Sequence, residues 1–384
     1  MRRLAAVATW ALTLLLVGQG VPSAWGAPVN LRIVNWVRWP DANPRSLIIH
    51  GDVAYVADYR GDLVVTLDLA DPERPAVLGA YTWPDTWSAE VCDLALEGNL
   101  LLAPAKFAGT LALDAADPAQ MSRLSQYKYT GPNPKPCGSG QLVKGADLQE
   151  GIAYLAEECF GLLIVDYRNP RQPRLLAQYN PGGTLFGEDT AVDGHTLYFA
   201  TGKGGVLVLD VSDPARPRLL QQVDPDGDPS GYLRRVRVHG DHVYLMDDSW
   251  GVYIYTRWQQ GFTKVGRIPT GGPAFDVALV GNLACVAVRA QGLEVWDVSR
   301  PSSPVLAGRA DTPAEAYGVA VSGRYAYVAD GHLSTTDGSE GVRVIDLEPL
   351  LPTPTPSPSP SATQTPSQTA TASPTATPTP PPGP

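Results

Sequence analysis

Short apolar runs, rich in β-branched residues, alternate with glycine and proline breaks along most of this chain. The stretch from Gly194 to Leu220 contains the unit in full: a strand, a tight glycine turn, a second strand, an Asp-Pro turn and a third strand. Helix interiors do not accept this density of glycine and proline, so the pattern predicts β-structure. The same order of elements recurs along the chain, which predicts a repeat fold.

The unit aligns seven times, with a period of roughly 46 residues that is typical of a four-stranded propeller blade. The first hairpin of each copy turns at a glycine: Gly51, Gly98, Gly151, Gly194, Gly240, Gly281 and Gly323. The third strand ends in aspartate in six copies: Asp68, Asp114, Asp166, Asp210, Asp297 and Asp346. A lone sheet of this size buries neither face, whereas radially packed sheets bury both. The sequence therefore predicts an all-β, seven-bladed β-propeller.

The two ends of the repeat array predict how the ring closes. The last copy lacks an outer strand, and residues 30–36 read as that missing strand. We expect them to pair with residues 341–346, because closure removes exposed sheet edges. The predicted boundaries are a signal peptide over 1–26, the propeller over 27–348 and a Pro/Thr/Ser-rich tail over 349–384.

The segments on either side of the propeller, 1–26 and 349–384, predict a location outside the cytoplasm. Arg2 and Arg3 precede an uncharged apolar run and then small residues, as in a secretory signal peptide. That run is shorter than the roughly 20 residues that span a bilayer, so we expect cleavage after Gly26 and no membrane insertion afterwards. The uncharged, proline-rich tail is expected to be a disordered, extended stalk. The predicted location is secreted or at the cell surface.

Two stretches resemble a known repeat. Residues 161–170 (GLLIVDYRNP) and 205–214 (GVLVLDVSDP) are similar to the signature of the LVIVD-repeat β-propellers, a family of bacterial exported and surface proteins. The second and fifth copies depart most from it. The resemblance implies a propeller outside the cytoplasm and implies no catalytic chemistry, because catalytic residues do not define the family.

Carboxylates provide the main candidate site. The residues five before each turn glycine open the inner strands and should ring the central channel: Ser46, Asp93, Ala146, Asp189, Arg235, Asp276 and Gly318. The starts of the second hairpins place further acidic residues on the same face: Asp58, Glu157, Glu158, Asp247, Asp248 and Asp330. This pattern predicts an acidic funnel for a basic partner or for Ca²⁺, with Asp93, Asp189 and Asp276 as candidate ligands. The alternative is a set of solvated strand ends, partly neutralised by Arg45, Arg234 and Arg235.

Export would permit disulfide bonds among the four cysteines. Cys137 lies in the loop that enters blade three and Cys159 in a hairpin of the same blade, so both belong to one face. We expect a Cys137–Cys159 bond, with Cys92–Cys137 as the alternative. Cys285 replaces the tyrosine of other copies and should be a buried free thiol. The sequence has no CxxC pair, so no zinc site is expected.

The net charge and the aromatic residues limit the classes of partner that the protein could bind. The net charge of −10 and the absence of a basic stripe disfavour nucleic acid and anionic membranes. Loop aromatic residues on the carboxylate face could contact a carbohydrate or protein, or fasten loops to blades: Trp83, Trp87, Phe107, Phe160, Phe186 and Trp250.

Two function classes remain. The first is a monomeric, non-enzymatic binding or scaffold module of the cell envelope, with no cofactor and with a protein or carbohydrate partner. The second is a Ca²⁺-dependent hydrolase or lactonase that works at the acidic channel mouth. The histidines fall mainly in turns around the rim and suggest no metal triad.

Overall fold

The computed structural model describes residues 27–61, 63–83, 89–131, 142–180, 182, 186–225, 227, 231–249, 251–332, 338–351 and 383. Its strands form seven sheets. The predicted signal peptide and nearly all of the predicted tail lie outside these residues, so both stay predictions. Within the described part of the chain, no helix has the length and hydropathy that a membrane crossing requires.

The first half of the chain contains two N-terminal strands and the first three blades. They are β1 (Val29–Asn30), β2 (Ile33–Val37), β3 (Pro44–His50), β4 (Val53–Asp58), β5 (Leu63–Asp68), β6 (Ala76–Thr82), β7 (Ala95–Glu97), β8 (Leu100–Ala105), β9 (Gly109–Asp114), β10 (Ser122–Tyr127), β11 (Val143–Gln149), β12 (Ile152–Glu157), β13 (Gly161–Asp166) and β14 (Arg174–Tyr179). β3 to β6 form blade one, β7 to β10 blade two and β11 to β14 blade three, each with the inner strand first.

The second half contains the remaining four blades. The strands are β15 (Asp189–Asp193), β16 (Thr196–Ala200), β17 (Val206–Asp210), β18 (Arg218–Val223), β19 (Leu233–His239), β20 (His242–Asp247), β21 (Gly251–Thr256), β22 (Lys264–Ile268), β23 (Asp276–Val280), β24 (Leu283–Ala287), β25 (Leu293–Asp297), β26 (Val305–Ala310), β27 (Glu315–Ser322), β28 (Tyr325–Gly331) and β29 (Gly341–Asp346). Two 3₁₀ turns, Trp258–Gln260 and Glu348–Leu350, complete the described elements. The predicted seven-bladed propeller is confirmed.

The N-terminal segment closes the ring as predicted. β2 pairs antiparallel with β29, with Trp36 opposite Arg343 and Val37 opposite Val342. The outer strand of blade seven therefore comes from the start of the chain. The sequence did not predict that β1, two residues long, adds to blade six by parallel pairing with β26.

The turns follow the sequence pattern closely. All seven predicted turn glycines have a positive φ, for example 59° at Gly51 and at Gly194, which favours glycine. The aspartate that ends a third strand accepts a hydrogen bond from the backbone N–H two residues later, as Asp210 Oδ1 does from Ser212 at 3.0 Å. The same bond forms at Asp68, Asp114, Asp166, Asp297 and Asp346. These carboxylates are therefore turn residues.

The hydrophobic core lies between neighbouring blades. Along β4, Ala54 and Val56 pack towards blade seven, whereas Tyr55 and Ala57 pack towards blade two. Successive side chains of a strand point to opposite faces, so both faces of this blade are buried. This arrangement explains why the strands read as continuous apolar runs.

The closing strand gives the first testable prediction. Val37 is 7% exposed and packs in the core between blades seven and one, whereas Val77 lies in the outer strand of blade one and is 45% exposed. Val37→Asp should lower the free energy of unfolding by about 3 kcal/mol or more, because it buries an unpaired charge. Val77→Asp should change it by no more than about 0.5 kcal/mol. Urea unfolding of both variants measures the difference, and equal effects would mean that β2 does not close the ring.

Candidate functional site

At one end of the ring, blades one, three, five and seven each have a carboxylate at the end of the second strand. This carboxylate bonds the loops at that end. In blade one, Asp58 Oδ1 accepts a hydrogen bond from the Gly61 N–H (2.6 Å) in its own hairpin. Its Oδ2 accepts from the Asn43 N–H (2.9 Å), just ahead of β3, and from Trp39 Nε1 (2.7 Å). Burial raises the pKa of Asp58 despite these bonds. The carboxylate ties the hairpin to the entrance of the inner strand.

Blades five and seven repeat this bond. Asp247 accepts hydrogen bonds from the backbone N–H of Ser249 (2.7 Å) and of Tyr232 (2.8 Å), and Asp330 accepts from Ala314 (3.2 Å). In blade three, Glu157 accepts from the backbone of Leu142 and Cys159 in the same way. Four of the six acidic residues predicted for this face are therefore buried and bonded to their own loops. The other two, Glu158 and Asp248, are partly exposed and pair with Lys144 and Arg234.

A β-bulge follows in the inner strand of the same four blades. The strand register skips one residue there, and the skipped residues are Arg45, Lys144, Arg234 and Tyr317. Bulges commonly re-aim a side chain next to a functional site. All four bulged side chains line one cavity on the ring axis, which we call the mouth cavity.

Deeper along the axis, Arg235 connects three blades. Its guanidinium group lies 3.4 Å from Asp93 Oδ1 and 3.2 Å from Asp276 Oδ2. Ser46 Oγ donates a hydrogen bond to Asp93 Oδ1 at 2.7 Å. The side chains of these charged residues are at most 13% exposed. Buried charges need partners of this kind, because leaving one unpaired in the interior is very costly.

Arg237 extends the same cluster on the other side. Its Nη1 lies 2.8 Å from Asp189 Oδ2, and its Nε lies 3.2 Å from Asp276 Oδ1. Gly145 makes room for this pairing, since a Cβ there would lie 2.5 Å from Asp189 Oδ1. We call Ser46, Asp93, Asp189, Arg235, Arg237 and Asp276 together the axial network.

The axial network lies between two cavities. On one side, the mouth cavity has a volume of about 260 Å³, and Arg235 forms part of its wall. On the other side, an inner cavity of about 490 Å³ is lined by Arg237, Asp147 and mainly apolar residues of the inner strands. Asp276 bonds both arginines, so the network lies between the residues that line the two spaces.

The mouth cavity has a wall of cations and aromatic rings. Its lining contains six basic residues: Arg45, Lys106, Lys144, Arg234, Arg235 and Arg289. Glu188 is the carboxylate among the lining residues, and Tyr59, Phe275 and Tyr317 supply aromatic rings. The charged residues that line this space are therefore mostly basic, although the whole protein is acidic. Carboxylates pair with all of these basic residues except Arg45 among the described residues.

Comparison with known proteins identifies the repeat. The LVIVD repeat family matches residues 43–82, 144–181, 187–225, 271–312 and 313–336. The chain belongs to the LVIVD-repeat proteins. The matches fall in blades one, three, four, six and seven, so the two copies that depart most from the pattern are the unmatched ones. No curated protein matches the chain significantly.

Solved structures share the propeller fold of this LVIVD-repeat protein. The structure of U3-55K is 14% identical, with a TM-score of 0.62, and the match covers 83% of this chain and 100% of that one. The WD40 β-propeller domain of Doa1 is 10% identical, with a TM-score of 0.63 over 83% of this chain and 97% of that one. The Cps50 (Swd1) propeller domain of Myceliophteria thermophila is 14% identical, with a TM-score of 0.63 over 82% and 99%. Such identities show the fold alone.

The structure brings Asp93, Asp189, Arg235 and Asp276 of this LVIVD-repeat propeller together, as the strand positions predicted. The sequence missed Arg237, which lies two residues after Arg235 and therefore on the same side of the strand. The expected acidic funnel differs from what the structure has: arginines bridge the axial carboxylates, and the mouth is walled mainly by cations. Whether any of these residues binds a ligand stays a prediction. No group of three or more His, Cys, Asp or Glu among the described residues is arranged to hold a metal ion.

The cysteine and loop-aromatic predictions have mixed outcomes. Cys137 lies outside the described residues, so the Cys137–Cys159 bond and its Cys92–Cys137 alternative stay predictions. Cys285 is a buried free thiol, and burial raises its pKa to about 12. Trp83 and Phe160 are buried and fasten loops to blades, whereas Phe107 is 52% exposed; Phe186 is partly buried, and Trp87 and Trp250 lie outside the described residues.

Two buried carboxylates near the axis give a prediction about pH. Burial raises the pKa of Asp147 to about 6, and it raises the pKa of Asp189 to about 7 despite the bond to Arg237. The folded protein therefore keeps protons that the unfolded chain releases near pH ~4. Stability falls with rising pH wherever the folded state binds more protons. We expect the free energy of unfolding to decrease between about pH 4 and pH 7.

Urea unfolding across this pH range tests the expectation. Asp147→Asn should make the decrease smaller, because that residue then no longer titrates. Asp213→Asn is the matched control, since the Asp213 side chain is 58% exposed. Stability that rises with pH, or an identical slope in the Asp147 variant and the control, would contradict the assignment.

Proposed function

We propose that this protein is a non-enzymatic binding or scaffold module of the cell envelope or extracellular space. It holds its partner on the face where the inner strands begin. The observation that carries the proposal is the mouth cavity, a space on the ring axis with cationic and aromatic walls. Binding and catalytic residues are often placed on loops that a rigid scaffold positions.

The sequence supports the proposed location. Residues 1–26 have the pattern of a signal peptide, and residues 349–384 have the composition of an extended stalk. A stalk of this kind would hold the propeller away from a surface, with its mouth open to a protein or carbohydrate of the envelope. A fusion of residues 1–26 to a reporter that is active only after export tests the address by itself.

The enzyme alternative has weaker support. A catalytic Ca²⁺ would need several oxygen ligands with open coordination positions. The candidate ligands Asp93, Asp189 and Asp276 are instead the carboxylates that Arg235 and Arg237 bridge. This arrangement supports a structural role for the three carboxylates.

Phe107 allows a direct test of the binding face. It lies in the hairpin between β8 and β9, beside the cavity-lining Lys106, and its side chain is an exposed apolar group. Leu219, 42% exposed, lies in the outer strand of blade four and serves as the matched control. With the mature chain from residue 27 and isolated cell envelopes, Phe107→Ala should weaken binding by about threefold or more. Leu219→Ala should leave it unchanged.

Two outcomes would contradict the proposal. Equal binding by the wild type, Phe107→Ala and Leu219→Ala would mean that the entry face is not the binding face. Turnover of ester or lactone substrates that depends on Ca²⁺ and is lost in Asp189→Asn would favour the enzyme alternative.

A further inference from the structure

Arg45 is the most constrained cation in the mouth cavity. Its guanidinium carbon lies 3.7 Å from the ring centroid of Tyr317 and 4.6 Å from that of Tyr59, so the group is held between two rings. One terminal nitrogen donates to the His332 carbonyl at 3.1 Å. Among the described residues, the buried Nε has no hydrogen-bond partner, and no carboxylate forms an ion pair with Arg45. A buried donor without a partner is costly, so its presence at this position needs an explanation.

Arg234 and Arg289 are oriented by carboxylates that lie behind them. Arg234 donates through Nε to Asp248, and Arg289 donates through Nε to Glu315 at 2.9 Å. In the described part of the chain, no hydrogen bond occupies the terminal nitrogens of either fork. Arg forks suit the two oxygens of a carboxylate or phosphate. The Asp248 bond keeps the pKa of Arg234 above its usual value although burial opposes the charge.

The backbone at Arg289 supports a functional role for this position. Its φ is 39°, in the left-handed region that a residue with a Cβ rarely adopts. Two backbone hydrogen bonds with Ala316, of 3.1 and 2.9 Å, hold the strained turn against blade seven. Strained residues of this kind cluster at functional sites.

The aromatic rings form one continuous wall between these cations. Phe275 and Tyr317 contact each other edge to face, with ring centroids 5.0 Å apart. Arg45 lies over Tyr317, and Arg234 lies 5.2 Å from the Phe275 ring centroid. A flat or ring-shaped apolar face could pack on this wall while an anionic substituent reaches the flanking forks.

The opposite wall is polar and can serve hydroxyl groups. Glu188 lies 2.5 Å from Lys144 Nζ and accepts a hydrogen bond from the Tyr232 hydroxyl at 2.5 Å. The carboxylate oxygens and the ammonium group supply acceptors and donors close together. The hydroxyl groups of a sugar ring need both hydrogen-bond donors and hydrogen-bond acceptors as partners.

Resting on the proposed function, we infer that the mouth cavity binds an acidic sugar. Its carboxylate or phosphate lies between Arg45, Arg234 and Arg289, its ring packs on Phe275 and Tyr317, and its hydroxyl groups face Glu188 and Lys144. The cavity volume of about 260 Å³ is just below the usual range for ligand sites, which suits one terminal ring. An acidic peptide side chain has no ring to cover the aromatic wall of Phe275 and Tyr317, so a sugar fits this cavity better.

Calorimetric titration of the mature chain tests the inference. Glucuronate, galacturonate and glucose 6-phosphate are each titrated up to about 5 mM, where a millimolar Kd still gives a signal. Neutral glucose, inorganic phosphate and an acidic tetrapeptide with a blocked C-terminus are the comparison ligands. We expect one-to-one binding of at least one acidic sugar, weaker binding at high salt, and no heat with glucose.

Matched arginine variants locate the site. Arg289→Gln should weaken binding of the acidic sugar by about tenfold or more, because it removes one fork. Arg218→Gln, on the outer strand of blade four and with a 73% exposed side chain, should leave binding unchanged. Thermal unfolding shows whether both variants are folded. If Arg289→Gln does not fold, Arg234→Gln provides a second test. A uronate that binds without glucose 6-phosphate identifies the carboxylate as the anion, and the reverse result identifies the phosphate.

Three results would overturn the inference. They are no heat with any acidic sugar, binding of the acidic peptide or of phosphate alone with no preference for a sugar, and an Arg289 variant that binds as the wild type does. Binding of the mature chain to envelopes that depends on Phe107, together with no heat from any sugar, would overturn the sugar assignment and leave the binding module in place. If the mature chain shows neither Phe107-dependent binding to envelopes nor heat with an acidic sugar, both proposals fail.

Discussion

The structure depends on the compensation of charges that the closed ring brings to one axis. Seven blades bury both of their faces only when they pack in a circle, and the circle places the starts of the inner strands side by side. Asp93, Asp189 and Asp276 then become buried neighbours. Arg235 and Arg237 pair with them, and Asp276 joins the two arginines. Without these pairs the axis would hold unpaired charge in the protein interior.

Most of the fold could be predicted because its signals are local. A turn glycine such as Gly194 has a positive φ, and a strand-ending aspartate such as Asp210 accepts a hydrogen bond from the backbone N–H two residues later. Both residue types therefore indicate the backbone conformation directly. Ring closure was also predictable, since counting strands leaves one missing from the last blade. The pairing of β1 was not predictable, because a segment of two residues, Val29 and Asn30, is too short to show a hydrophobic pattern.

The character of the candidate site was harder to predict because it depends on small shifts in register. The strand positions correctly grouped Asp93, Asp189 and Asp276, but a bulge cannot be read from residue types alone. The bulges at Arg45 and Arg234 bring basic side chains into the mouth cavity. Carboxylates such as Asp58 lie near the same face, yet backbone N–H groups occupy them. An excess of acidic residues along the sequence thus gives a cavity with a mainly cationic wall.

Anomalous diffraction from crystals of the mature chain would test this account most directly. One crystal is soaked in bromide and another in Ba²⁺, a heavy substitute for Ca²⁺ that also prefers oxygen ligands. The account predicts a bromide peak among Arg45, Arg234 and Arg289, and no Ba²⁺ peak between Asp93, Asp189 and Asp276. A Ba²⁺ ion held by those three carboxylates, with Arg235 and Arg237 displaced, would contradict it.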